Sequence, residues 1–179
     1  MRAVMLEVDP QLLAERARLG LDRRDEMWDG ELHMVPPPAT GHQAFASRLL
    51  RAIGPLADER GLEITQEVGY FGHEFDYRVP DLAVFDRDRA SDARLRHVSL
   101  VVEIRSPRDE SMVKVPWYLA RGCREVLIVD RDTLALQLHT AAGVVKSRRS
   151  QVLGCTFTTI DGPAVQLSWH GGSTIVTRP

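Results

Sequence analysis

Pro80-Asp81-Leu82-Ala83-Val84-Phe85 and Leu100-Val101-Val102-Glu103-Ile104-Arg105 are the two stretches that decide the fold. Each is a short, nearly continuous apolar run, the composition of a strand covered on both faces. Each also carries one acid, at its start or within it. Burying an ionised carboxylate is costly unless it is paired, hydrogen-bonded or bound to a metal, so Glu103 in particular calls for a partner. Two acids at neighbouring strand ends would make a hard-oxygen site suited to magnesium. Such an ion can activate water and stabilise charge on a phosphodiester. A simple ion pair with Arg105 or another basic side chain accounts for the same pattern, and the residues alone leave both open.

Outward from these strands the elements follow in order. Downstream, a short helix is expected over Val115–Arg121, stopped by Gly122, and a buried strand over Val126–Asp130. Leu134–His139 and Val144–Arg149 read as a hairpin around Ala141-Ala142-Gly143, with further strands near Thr156–Ile160, Val165–Trp169 and Thr174–Thr177. Upstream, Leu62–Val68 alternates and Asp76–Val79 leads into Pro80. A longer helix begins at Thr40, where Thr40 and Gln43 have capping-box spacing. Phe45, Leu49, Ala52, Ile53 and Leu56 form its apolar stripe, Pro55 is expected to bend or shorten it, and Gly61 ends it. Pro36-Pro37-Pro38 is an extended link. Asp29-Gly30 is a hairpin turn between Glu26–Trp28 and Leu32–Val35. Asp9-Pro10 opens a first helix that Gly20 stops. Helix, strands, helix, strands in this order give a mixed α/β fold, a central sheet flanked by helices, and not a regular βαβ repeat. With no repeat, low-complexity tract or linker, residues 1–179 read as one domain: an N-terminal helix and hairpin (1–39), then the core (40–179).

The bulk composition excludes several classes. A net charge of −2 argues against a protein that coats nucleic acid through bulk charge, while leaving room for a local basic groove. Arg87, Arg89, Arg94 and Arg96 alternate with Asp86, Asp88 and Asp92 and read as solvated surface. Lys146, Arg148 and Arg149 form a purer cluster, and strand alternation would put Lys146 and Arg148 on one face, where they could touch phosphates. The apolar runs are too short to span a membrane, and Met1–Pro10 lacks a signal-peptide profile. Cys123 and Cys155 form neither a disulfide framework nor a metal-type spacing, which fits a reducing, cytoplasmic setting with both thiols in the core. His33, His73, His97, His139 and His170 are scattered without ligand spacing. Ser106, before Pro107, reads as a turn residue, since no recognisable base accompanies it as a nucleophile.

Trp28-Asp29-Gly30-Glu31, Pro37-Pro38, Gly41-His42-Gln43, Pro80-Asp81, Glu103-Ile104-Arg105-Ser106-Pro107, Lys114, Tyr118, Gly122 and the Val126–Asp130 strand together resemble the Uma-two family. These are bacterial restriction-endonuclease-like proteins, a branch of the PD-(D/E)-x-K nuclease superfamily. The likeness runs from about Glu26 to Thr177. It implies a restriction-endonuclease-like core and a magnesium- or manganese-dependent site that hydrolyses DNA. Asp81 and Glu103 would be the metal ligands and Glu67 a further acidic position. The superfamily's lysine position is held here by Arg105, always charged and a poor proton acceptor. The family is thought to substitute a lysine from the next helix, and Lys114 has the matching spacing to Tyr118 and Gly122. The resemblance gives it the role of orienting the attacking water or neutralising the phosphate. His42, near the start of the second helix, can face the sheet edge and joins the candidates.

Two features depart from the family pattern. The segment from Glu103 to Gly122 is shorter, and Pro116 falls where the family helix continues, so the helix is expected to start near Val115 with Lys114 at its entrance. Both departures, with the mildly acidic charge, favour the competing reading: a non-catalytic descendant of the fold acting as a binding or dimerisation module. DNA is the partner the nuclease reading expects, and a homodimer fits it, because cutting both strands of a duplex takes two sites.

Overall fold

A computed structural model describes residues 3–5, 9–92, 94–107, 109–162 and 164–179; part of the Met1–Pro10 stretch lies outside them. The centre is a sheet of order β11-β10-β9-β8-β7-β4. It is built from β4 (Leu62–Gln66), β7 (Leu82–Asp86), β8 (Leu100–Arg105), β9 (Glu125–Asp130), β10 (Leu136–Thr140) and β11 (Gly143–Val144). β8 and β9 run parallel, joined by the crossover helix α3 (Ser111–Ala120), and the other pairs are antiparallel.

Alternation along these strands explains their apolar continuity. Leu82, Val84, Leu100, Val102, Leu127 and Val129 face one side and pack on Phe45, Leu49, Ile53 and Leu56 of α2 (Thr40–Asp58). The same side is closed by Phe157, Val165, Leu167 and Val176 of a small antiparallel sheet, β12 (Thr156–Ile160), β13 (Ala164–Trp169) and β14 (Gly172–Thr177). Ala83, Phe85, Val101, Val126 and Ile128 face the other side, against Val115 and Tyr118 of α3 and against Tyr70. Every position in the middle of β7, β8 and β9 therefore meets a covering layer. The architecture is the mixed central sheet with flanking helices expected from those runs.

A second sheet of order β1-β3-β2-β6-β5 holds β1 (Ala3–Met5), β2 (Glu26–Trp28), β3 (Glu31–Met34), β5 (Tyr70–His73) and β6 (Asp76–Arg78). Asp29 and Gly30 turn the β2–β3 hairpin with φ of 51° and 91°, the two positive values that a type I′ turn requires. α1 (Pro10–Arg18) starts as read, with the Asp9 carboxylate accepting from the Gln11 amide at 2.8 Å. No helix among the described residues is long and apolar enough to cross a membrane.

The structure differs from the sequence reading at several points. Thr40 does not cap α2: Ala39 takes the cap position without a side-chain bond, and the Gln43 amide group turns to Glu67. Pro55 does not shorten α2, which continues to Asp58. α3 begins at Ser111, upstream of Val115, with Pro116 inside it and Lys114 within its regular turns. The two prolines share one explanation. Pro55 and Pro116 are exposed, as are Arg51 and Met112, whose carbonyls lose a helical donor, so water can satisfy those carbonyls. Finally, the strand expected over 144–149 stops at Val144, and Arg148 has a φ of 50°. Lys146 and Arg148 therefore do not share a strand face.

Candidate functional site

The β7–β8 register pairs Leu82 with Val102, so Asp81, one residue earlier, stands opposite Glu103 with its side chain on the same face. Both point to the side covered by α3. Asp81 Oδ2 accepts a 2.7 Å hydrogen bond from the Ile104 amide, and Oδ1 lies 2.9 Å from His42 Nε2 at the start of α2. Glu103 Oε1 is 2.6 Å from Lys114 Nζ and accepts a 2.6 Å bond from the Tyr118 hydroxyl. Lys114 and Tyr118, one turn apart on α3, both reach down onto the strand because the crossover lays that helix over β8 and β9. The cation that meets Glu103 is therefore Lys114, and the alternative of a pair with Arg105 is settled in favour of the helix.

A cleft of about 640 Å³ opens over these groups. His42, Asp81, Glu103 and Lys114, four of the sequence candidates, all line it, and Pro36, Pro37 and Pro38 form part of its wall. Glu67 does not line it. Its carboxylate lies 3.0 Å from Arg24 Nε, and Gln43 donates to it. Lys146, Arg148 and Arg149 are not among the lining residues either.

The chain is similar to known proteins. Residues 12–168 match the Uma2 (Uma-two) family, described as "Putative restriction endonuclease". The chain belongs to the Uma2 family. The crystal structure of "a putative nuclease belonging to DUF820 from Anabaena variabilis ATCC 29413" is similar to it, with a TM-score of 0.59 at 19% identity, covering 76% of this chain and 80% of that one. At that identity the likeness concerns the fold, which is restriction-endonuclease-like. A search among curated proteins gives no match.

The electrostatics of the Uma2 site follow from its burial. Desolvation pushes the Glu103 carboxyl up to about 7, against the pull of the Lys114 ammonium and with the help of the Asp81 and Glu26 charges. Burial would discharge Lys114, but the Glu103 and Glu26 carboxylates outweigh it and hold the ammonium protonated above its ordinary range. Tyr118, also raised by burial, stays a hydroxyl that donates to Glu103. His42 is raised chiefly by its bond to Asp81, against burial and the nearby Arg24 and Arg131 charges.

One stability consequence has a definite sign. Between 4.5, the ordinary value, and about 7 the folded state holds the Glu103 proton more tightly than the unfolded chain. The stability Glu103 contributes is therefore full below 4.5 and is lost as pH rises through about 7. Urea midpoints measured across that window should fall less steeply with pH in Glu103→Gln than in the wild type. Equal slopes would show that Glu103 ionises normally.

Sequence reasoning missed Glu26 in this Uma2 chain. It is buried on β2, with Oε1 3.1 Å from Lys114 Nζ and accepting at 3.1 Å from the Val79 amide, and with Oε2 accepting at 2.8 Å from Trp28 Nε1. Lys114 thus bridges two carboxylates from two different sheets. The same seam is fastened by Arg78, whose guanidinium lies 4.4 Å from the Trp28 ring centre and 4.5 Å from that of Trp117 on α3. The available signal was weak: alternation places Glu26 and Trp28 on one side of a three-residue strand, too short to show which side is covered.

The donor set fits one mode of metal binding and not another. Among the described residues no group of three or more His, Cys, Asp or Glu side chains is placed to hold an ion, which excludes an all-protein cage within them. Two facing carboxylates at a cleft match the mode magnesium prefers, with one or two protein oxygens and the rest supplied by water and substrate phosphate.

Proposed function

We propose that this chain is a magnesium- or manganese-dependent endonuclease that hydrolyses DNA phosphodiester bonds. The observation that carries the reading is the pairing of Asp81 with Glu103 across β7 and β8, with the Lys114 ammonium on Glu103. Asp81 and Glu103 would hold the ion, which when bound supplies Lewis-acid stabilisation of charge on the phosphodiester. Asp81 is held in orientation by the Ile104 amide and by His42. Glu103 is fixed by Tyr118 and Lys114, so neither acid has to reorganise when a ligand arrives. Lys114 offers a fixed positive charge beside the place where negative charge develops, the role the superfamily gives to a strand lysine. Arg105 is not among the residues that line the cleft.

Calorimetric titration of manganese into the wild type, Asp81→Ala and Glu103→Ala, with plasmid cleavage run beside it, tests this. The expected result is manganese binding and nicking by the wild type, with nicking reduced at least about 100-fold in either variant. A folded wild type that takes up no manganese and leaves the plasmid intact overturns the reading and leaves the non-catalytic module in its place.

A further inference from the structure

The basic residues that sequence reading offered for phosphate contact lie outside the cleft, yet the cleft has two arginines of its own. Arg24 enters it from the segment between α1 and β2, and Arg131 from the residue just after β9. Both lie near enough to His42 to oppose its charge, and His42 touches Asp81. Both arginines therefore line the same cleft as Asp81 and Glu103.

The support of Arg24 differs from those of the surface arginines. Arg87 is drawn to Asp58 and Glu63, and Arg94 to Glu74, through side chains that are about half exposed or more open. Arg24 is only 20% exposed. Its Nε lies against Glu67 and its Nη1 reaches the Pro36 carbonyl at 3.4 Å. Glu67 is itself anchored: Gln43 donates to it, its amide donates to the Asp81 carbonyl at 3.3 Å, and its φ is 52°. A left-handed φ in a non-glycine residue is uncommon, and here it accompanies a carboxylate pointed at Arg24. On the other side, the Arg131 amide donates to the Arg105 carbonyl at 2.9 Å, which ties its backbone to the end of β8. Asp132 engages Nε of Arg131 at 3.0 Å. In both arginines an acid holds the Nε edge, and no hydrogen bond from Nη2 to another described residue competes with a ligand there.

We propose that Arg24 and Arg131 grip the phosphate backbone of a nucleic-acid strand in this cleft, and that Glu67 is the positioning residue for Arg24. The choice of ligand rests on the phosphodiester reading above; the assignment of the three residues rests on their own geometry. A forked guanidinium suits a phosphate group. A chain with net charge −2 needs a local pair of cations of this kind to hold a polyanion. Glu67 then acts through Arg24 and touches no reacting atom, in contrast to the acidic site position that the family resemblance gives it.

Fluorescence anisotropy of a labelled DNA duplex, with EDTA present and salt varied, tests the proposal independently of cleavage. Arg24→Ala and Arg131→Ala should each weaken binding about tenfold and lower the slope of log affinity against log salt by about 1. Arg18→Ala, an exposed arginine of α1 paired with Glu15 and away from the cleft, should leave both unchanged. Glu67→Gln should weaken binding in the wild type and add nothing to Arg24→Ala, since its effect passes through that residue. Thermal melts of each variant keep folding defects apart from binding defects. Wild-type affinity and slope in the two arginine variants, or no DNA binding by the wild type at low salt, would overturn the grip. An additive effect of Glu67→Gln would remove Glu67 from it. Arginine-dependent binding in a protein that takes up no manganese would leave the grip standing and sink the nuclease reading alone.

Discussion

Lys114→Met should destabilise the fold by about 3–5 kcal/mol at neutral pH, the cost of removing the buried ammonium that two buried carboxylates share. Methionine fills a similar volume, so little of the loss comes from a cavity. It comes from Glu26 and Glu103, both buried, each of which touches the one ammonium. Against a typical stability of about 5–15 kcal/mol, that is a large share. The penalty should shrink on acidification, because a buried acid that has lost its ammonium escapes it by binding a proton. Urea unfolding of the variant and the wild type at pH 5 and pH 8 measures both effects. Adding Glu103→Gln to Lys114→Met should recover part of the loss, since a neutral amide replaces one stranded charge. A single-variant loss below about 1 kcal/mol, the range of an exposed pair, would mean the ammonium does not hold the two acids together.

Asp76→Ala should be the second severe change, and it lies outside the cleft. Asp76 is buried on β6 and accepts from Arg78 Nη1 at 3.0 Å, from Trp117 Nε1 at 2.9 Å on both oxygens, and from Arg121. Burial raises its pKa, but the donors from Trp117, Arg78 and Arg121 outweigh burial and leave it below 3.8. Its stabilising charge is therefore fully present above 3.8 and is lost as pH falls through the lowered value. Alanine leaves the Arg78 guanidinium between two indoles without its counter-ion, and a loss of about 3 kcal/mol follows. Asp76→Asn keeps an acceptor and should fall between alanine and the wild type. Thermal melts at pH 7 rank the three. An alanine variant that melts with the wild type would show that ring stacking alone holds Arg78.

The central strands were legible because burial on two faces leaves no room for polar alternation, and Leu82–Asp86, Leu100–Arg105 and Glu125–Asp130 say so directly. The long helix was legible from Phe45, Leu49, Ile53 and Leu56 at helical spacing, all buried. Tyr70–His73 was not read as a strand: it is short, contains Gly72, and shifts register against Asp76–Arg78. Pro116 misled because the rule against helical proline concerns an unsatisfied carbonyl, and whether water reaches that carbonyl depends on a face that only the packed helix defines.

Of the cleft residues, Asp81 and Glu103 stood out as acids in apolar company, whereas Lys114 came from the family resemblance. Glu26 stayed hidden because its partner is 88 residues away, beyond any local pattern. Arg24 and Arg131 carried no local signal, since nothing in a run of sequence says which arginines share a cleft.

The Lys114 bridge between two sheets also bears on the order of events during synthesis. Glu26 leaves the ribosome early, while the ammonium it needs is made 88 residues later, after Glu103 and at the start of the crossover. Until then the early hairpin holds an acid whose ammonium is not yet made. The interior charges therefore act as a late latch, which a chain that has not yet reached residue 114 cannot close.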